Sequence, residues 1–242
     1  MLSVGAGGIA VQYISIDWCN VYKFASEWQT FIAAVIALLA ALSMNRIVRS
    51  QIQQAERHEN ERRRRRYIAA RSTLPMVLTE ICRYAMEVTN YLRPIHQQLT
   101  DAPEVKPPLP HPPIMPEQLF AAIERMIEAA EDERVVTHLR KIVSQIQILN
   151  SRLTDRLIER PTMMLVSTRE IETNLRQCAL IHATSGLLFP FARFQSEDLQ
   201  ETVEWRDLYN SLGILDIDSH TYSDLHNGCQ RSQERGTSPE DI

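Results

Sequence analysis

The sequence predicts an all-α protein in which one N-terminal transmembrane helix continues into a long stalk helix and an antiparallel bundle of about four helices. Three observations predict this class. Only seven glycines stand among 242 residues, too few for a sheet-rich chain with many tight turns. Downstream of residue 73 the apolar residues recur at alternating spacings of three and four, the period of one packed helix face. One run near the N-terminus is apolar at nearly every position. With 44% hydrophobic and 23% charged residues, the chain supports one core plus appendages.

Residues 1–27 form an N-terminal extracytoplasmic segment whose one basic residue is Lys23. Residues 28–48, WQTFIAAVIALLAALSMNRIV, are the membrane helix, and between Phe31 and Met44 the one polar side chain is Ser43. At 1.5 Å per residue this stretch reaches about 31 Å, the thickness of a bilayer core when Arg46 snorkels at its end. Trp28 stands where an interfacial aromatic anchor belongs. The acidic and lysine-bearing segment ahead of the run differs from the basic n-region of a signal peptide. Arg46, Arg49, Arg57, Arg62 to Arg66 and Arg71 follow the run, so the C-terminal side faces the cytoplasm, N-out/C-in.

Residues 49–72 read as a basic helical stalk. They contain neither Gly nor Pro, and Glu59 with Arg63, and Glu61 with Arg65, make i,i+4 pairs with the acid placed first. Successive residues lie about 100° apart on a helix, so Arg62, Arg63, Arg64, Arg65 and Arg66 point all the way around it. No face at that level enters a core. The five arginines are a topology signal and a contact for anionic lipid headgroups.

The cytoplasmic bundle spans residues 73–212. Its first helix carries Leu74, Leu78, Ile81, Ala85, Val88, Leu92, Ile95 and Leu99 on one face, with a kink or break expected at Pro75 and at Pro94. The linker 101–116 holds seven prolines and reads as a stiff extended connection, with Pro107-Pro-Leu-Pro110 as a PxxP. A second helix presents Leu119, Ile123, Met126, Ile127 and Ala130, and Glu131 to Arg134 turn the chain. A third carries Val136, Leu139, Val143, Ile146, Asn150, Leu153 and Leu157, with a parallel row at Val135, Ile142 and Leu149. Asn150 on an apolar row is a candidate for fixing bundle register. Pro161 ends this helix, and Ser167-Thr-Arg-Glu170 is a capping box that opens a fourth. The fourth includes CALIHATSGLLFPF, residues 178–191. This run is too short and too polar for a second membrane pass, so it reads as a buried core helix with His182 as a hydrogen-bonded core histidine.

A short helix through Trp205, Leu208, Tyr209 and Leu212 is expected to end at Gly213 as its left-handed terminating residue. Residues 213–242 are read as one more short helix, from Ser219 to about Cys229, followed by a disordered tail.

The chain contains no P-loop, GxGxxG, HExxH or GxSxG, so no catalytic constellation and no cofactor are indicated. Asp216, Asp218, His220, His226 and Cys229 match neither an EF-hand loop nor a zinc knuckle. Cys19, Cys82, Cys178 and Cys229 have no metal-ligand spacing, and the last three belong in a reducing compartment. A net charge of −4 argues against nucleic-acid binding, the role a five-arginine run would otherwise suggest.

The segments WQTFIAAVIALLAAL and SQIQILNSRL, together with the arginine-rich stalk, resemble a group of uncharacterised single-pass bacterial membrane proteins. The resemblance implies an inner-membrane location and a helical cytoplasmic domain, and brings no activity or site. The expected function is a membrane-anchored, non-enzymatic interaction protein that touches membrane lipid and binds a protein partner or itself. Two alternatives stand beside it. One is a membrane-active or pore-forming effector, suggested by Ala33, Ala34, Ala37, Ala40 and Ala41, whose small side chains allow close helix approach. The other is nucleic-acid binding through Arg62 to Arg66.

Overall fold

The computed structural model describes residues 18–101, 111–116, 118–157 and 167–241. Among these, six α-helices and a closing 3-10 turn account for the regular structure, and no strand occurs. The helices are α1 (Trp18–Asp101), α2 (Gln118–Ala129), α3 (Glu133–Leu157), α4 (Thr168–Ala192), α5 (Trp205–Ile214) and α6 (Ser223–Glu234). The chain divides into two compact units, Met1–Glu61 and Arg62–Ile242.

In the first unit α1 is exposed along its apolar run. Among the described residues it is the one helix long and apolar enough to cross a membrane.

The second unit is an antiparallel bundle. The partners of α1 rise along its sequence while they fall along α4. Arg71 Nε donates to the Phe191 carbonyl at 2.8 Å, Cys82 meets Ser185, Thr89 meets Cys178, and His96 Nε2 lies 3.2 Å from Glu172 Oε1. The same crossing sense places α3 against α4. Near its start Arg134 Nη1 donates to the Leu199 carbonyl at 3.2 Å, beyond the end of α4, and near its end Arg152 donates to Gln177 Oε1 at 2.8 Å. The turn between α2 and α3 is held by Asp132, whose carboxylate accepts from the Arg134 main-chain N–H at 2.9 Å. These charge-assisted bonds from Arg134 hold the Asp132 carboxyl below its ordinary pKa.

The stripe predicted for the first bundle helix is the one the core uses, since Leu74, Leu78, Ile81, Ala85, Val88, Leu92, Ile95 and Leu99 are all buried. Neither proline on it breaks the chain: α1 runs through Pro75 and Pro94 to Asp101. A proline in a helix interior costs about 3 kcal/mol, whereas burying Leu74, Leu78 and Ile81 across the first of them contributes roughly 1.5–3 kcal/mol each. Packing outweighs the local cost.

The α4 prediction also holds. Ser167 accepts from the Glu170 N–H and the Glu170 carboxylate accepts from the Ser167 N–H, which completes the capping box. From Ile171 to Ala192 the helix buries more than one face: Asn174, Ala179, Leu180, Ile181 and Ala183 are buried beside the row Ile171, Leu175, Cys178 and Ser185. α4 packs against α3, α5 and α6 as well as α1, so it is the central helix of the unit.

The C-terminal region departs from expectation. α5 includes Gly213 and ends at Ile214, and the left-handed residue that terminates it is Asp216, at φ 58°. The Asp216 N–H donates to Gly213 and the Ile217 N–H donates to Leu212, the paired bonds of a Schellman ending. Gly213 therefore lies one turn too early. The expected disordered tail is packed: α6 runs to Glu234, Pro239 is buried, Glu240 pairs with Lys141 and accepts from the Val203 N–H, and the Thr237 carbonyl accepts from the Trp205 indole at 3.1 Å. Polar composition suggested disorder, but the polar groups here find partners across the bundle instead of water. The end of α3 at Pro161 and the Pro107 to Pro110 motif lie outside the described residues.

Candidate functional site

The features that bear on function lie along α1. From Trp28 to Val48 the large apolar side chains are exposed around the whole circumference of the helix: Phe31, Ile32, Val35, Ile36, Leu38, Leu39, Leu42, Met44, Ile47 and Val48. Water-exposed leucine on one face of a helix is ordinary, but a helix apolar on every side with no cover belongs in lipid or in a larger core. Its backbone groups are already bonded within the helix, the condition for crossing hydrocarbon. Ser43, the one polar side chain between Phe31 and Met44, donates to the Ala40 carbonyl at 2.8 Å, so its hydroxyl needs no outside partner. Trp28 stacks edge-on against Phe31 with ring centroids 5.5 Å apart, an arrangement that gives the indole a fixed apolar support.

The stalk follows. From Arg49 to His58 every side chain is exposed, and Arg62 to Arg66 are exposed as well. The helical geometry points the five guanidiniums in all directions, as the consecutive sequence requires.

Five positions after the run stands an arginine of opposite character. Arg71 is 2% exposed, and its guanidinium carbon lies 4.0 Å from the Phe191 ring centroid and 4.2 Å from that of Phe194. Nε donates to the Phe191 carbonyl at 2.8 Å, Nη1 to Glu197 Oε1 at 2.7 Å and to the Tyr67 hydroxyl at 3.2 Å. The cation thus closes the C-terminal end of α4, where carbonyls are left without helical donors and the macrodipole is negative. Phe194 sits at φ 58°, a left-handed conformation that costs an L-residue about 1–2 kcal/mol. Stacking on a desolvated guanidinium is worth about 2 kcal/mol, which holds the ring there. Sequence reading grouped Arg71 with the topology signal; the signal that separates it is its place on the stripe with Leu74 and Leu78.

The histidines of the bundle, His138 buried and His182 and His226 half-buried, tie elements together. His182 Nδ1 lies 3.0 Å from the Ser211 hydroxyl on α5, and burial lowers its pKa. His138 Nε2 lies 2.7 Å from the Gln200 carbonyl and His226 Nε2 lies 2.9 Å from the Ile217 carbonyl. Asp218, in the polar group noted at the C-terminus, accepts from the His220 and Thr221 N–H groups at 2.9 and 2.8 Å. These main-chain bonds and the Thr221 hydroxyl hold its carboxyl below the ordinary range. Its carboxylate is thus engaged in closing a turn. Among the described residues no three His, Cys, Asp or Glu side chains converge as metal ligands would. Asn150 is half-buried at the edge of the α3 core face, while Leu139, Ile142, Ile146, Leu149 and Leu153 fill its centre. Comparison of the chain with protein-family models, with curated proteins and with solved structures returned no match.

Proposed function

We propose that the chain is a membrane-anchored, non-enzymatic helical interaction protein, held by residues 28–48 in the bacterial inner membrane with its N-terminus outside and its bundle in the cytoplasm. The observation that carries the reading is the exposure of an apolar run around the full circumference of α1. A single protein partner covers one side of a helix, whereas lipid covers every side. The difference between the single Lys23 before the run and the nine arginines from Arg46 to Arg71 after it supports the orientation. Arg62 to Arg66 act in this reading as a topology signal, and nucleic acid is the weaker partner because no aromatic platform accompanies them. The bundle meets a protein partner or a second copy of this chain.

Membrane fractionation with alkaline extraction tests the anchor. Retention of the full chain in the membrane pellet is the expected result; release into the soluble fraction overturns the anchor, the orientation and the class together. Crosslinking in native membranes tests the interaction role, and recovery of monomer alone counts against it. Collapse of the membrane potential on expression would favour the pore-forming alternative instead.

A further inference from the structure

A concavity of about 850 Å³ lies between the first turns of α4 and the length of α6. Arg169 and Arg176 border it from α4, and Arg231 and Arg235 from α6. Among the described residues, Arg169, Arg231 and Arg235 have no carboxylate at ion-pair distance. The Arg231 and Arg235 Nε atoms donate to the Asn227 and Arg231 carbonyls at 3.1 and 3.2 Å, and Arg235 Nη2 donates to the Ser232 hydroxyl at 3.2 Å. Those bonds orient the two guanidiniums without neutralising them. Three acids border the concavity as well, Glu172 from α4 and Asp224 and Glu234 from α6, so the four arginines exceed them by one. Glu172 faces the buried His96 at 3.2 Å, and Glu234 accepts from the Gln230 amide at 3.1 Å.

Arginines in the last turn of α6 have an ordinary explanation, since they complement that helix's negative end. It does not account for Arg169 and Arg176 across the gap. The excess of positive charge favours an anion, and the planar guanidinium fork matches phosphate oxygens two at a time. Burial lowers the Arg176 pKa, the cost of holding a cation partly out of water. The α4 N-terminus adds to the same field. No aromatic ring lines the concavity, so there is no surface on which a nucleobase would stack. Thr168, Thr173 and Ser232 offer hydroxyls, and Asp224 offers an acceptor for ligand hydroxyl groups.

We propose that this concavity binds a soluble phosphorylated polyol, a sugar phosphate, through Arg169, Arg231 and Arg235. Calorimetry on the full chain in phosphatidylcholine nanodiscs, with fructose 1,6-bisphosphate as probe and fructose as the neutral control, tests it. Saturable binding of the bisphosphate but not fructose is expected. Each of Arg169→Gln, Arg231→Gln and Arg235→Gln should weaken it about tenfold. Replacement of Arg62 to Arg66 by Gln should leave bisphosphate binding intact, which separates the concavity from the basic stalk. All three single-site variants are surface changes, and unchanged circular dichroism establishes that they fold. No binding of the bisphosphate at millimolar concentration, or binding equal in the variants and the wild type, overturns the proposal.

Discussion

Six arginines fall within ten positions, Arg62 to Arg66 and Arg71, and their surroundings set them apart. The first five are solvated, while the sixth is stacked between two phenyl rings and bonded to a helix end. Truncating a solvated arginine typically changes stability by less than about 0.5 kcal/mol. Arg71→Ala removes the charged donor to the Phe191 carbonyl and leaves two rings without their cation, and should cost about 3 kcal/mol. Arg71→Lys should recover less than half of that, because an ammonium cannot stack and fork at once. Urea titration of the detergent-solubilised chain measures both. His182 supplies a pH test at the same scale. Burial lowers its pKa from the ordinary 6.5, so below that value the unfolded chain takes up a proton that the folded chain refuses. Stability therefore falls as pH drops through 6.5 toward the folded value, and above 6.5 this group contributes no pH dependence. The thermal midpoint of wild type should fall more between about pH 7 and about pH 5 than that of His182→Gln. Equal slopes would remove His182 as the source.

At the scale of elements, three helices end in the same way although their left-handed residues differ. Phe194 ends α4, Asp216 ends α5 and Gly236 ends α6, each with the two Schellman bonds. Glycine suits that conformation, so Asp216→Gly relieves about 1 kcal/mol of backbone cost against an ion pair worth less, the one its exposed carboxylate makes with Arg93 at 3.2 Å. Its stability should equal or slightly exceed wild type. Phe194→Gly relieves the same cost but removes a ring from Arg71, and the roughly 2 kcal/mol of desolvated cation–π contact wins. That variant should be about 1 kcal/mol less stable, and a result on the stabilising side would show that Phe194 does not hold the guanidinium. These endings explain what sequence could reveal. The stripes of α1 to α4 were legible because a core repeats its demand every turn, and the Ser167 capping box because its two bonds are local. Gly213 misled because glycine was expected where Asp216 does the work. No break follows at Pro75 or Pro94 because long-range packing overrides a local penalty. The concavity between α4 and α6 was not legible at all, since Arg169 and Arg231 are brought together only by tertiary packing.

For the whole molecule, exposure predicts where a protease enters. Residues 49–66 lie on a helix almost wholly exposed to solvent, so they open locally at low cost, while Arg71 opens only with the bundle. Limited trypsin digestion should cut first within Arg62 to Arg66 and leave Arg71 intact. Lys106 and Arg160 precede prolines and resist the enzyme. Mass spectrometry of the surviving fragment decides the matter, and early cleavage after Arg71 would contradict its burial. Burial also raises the thiol pKa of Cys82 to about 11 and of Cys178 to about 12. Both should escape maleimide at neutral pH until denaturant is added.

The pairing of α1 with α4 also sets a timetable for synthesis. Arg71 must wait for Phe191, 120 residues later. At roughly 5–20 residues per second that interval is about 6–24 s. Through it the newly made stripe from Leu74 to Leu99 has no α4 to cover it, which makes this stretch of nascent chain the natural client of a chaperone.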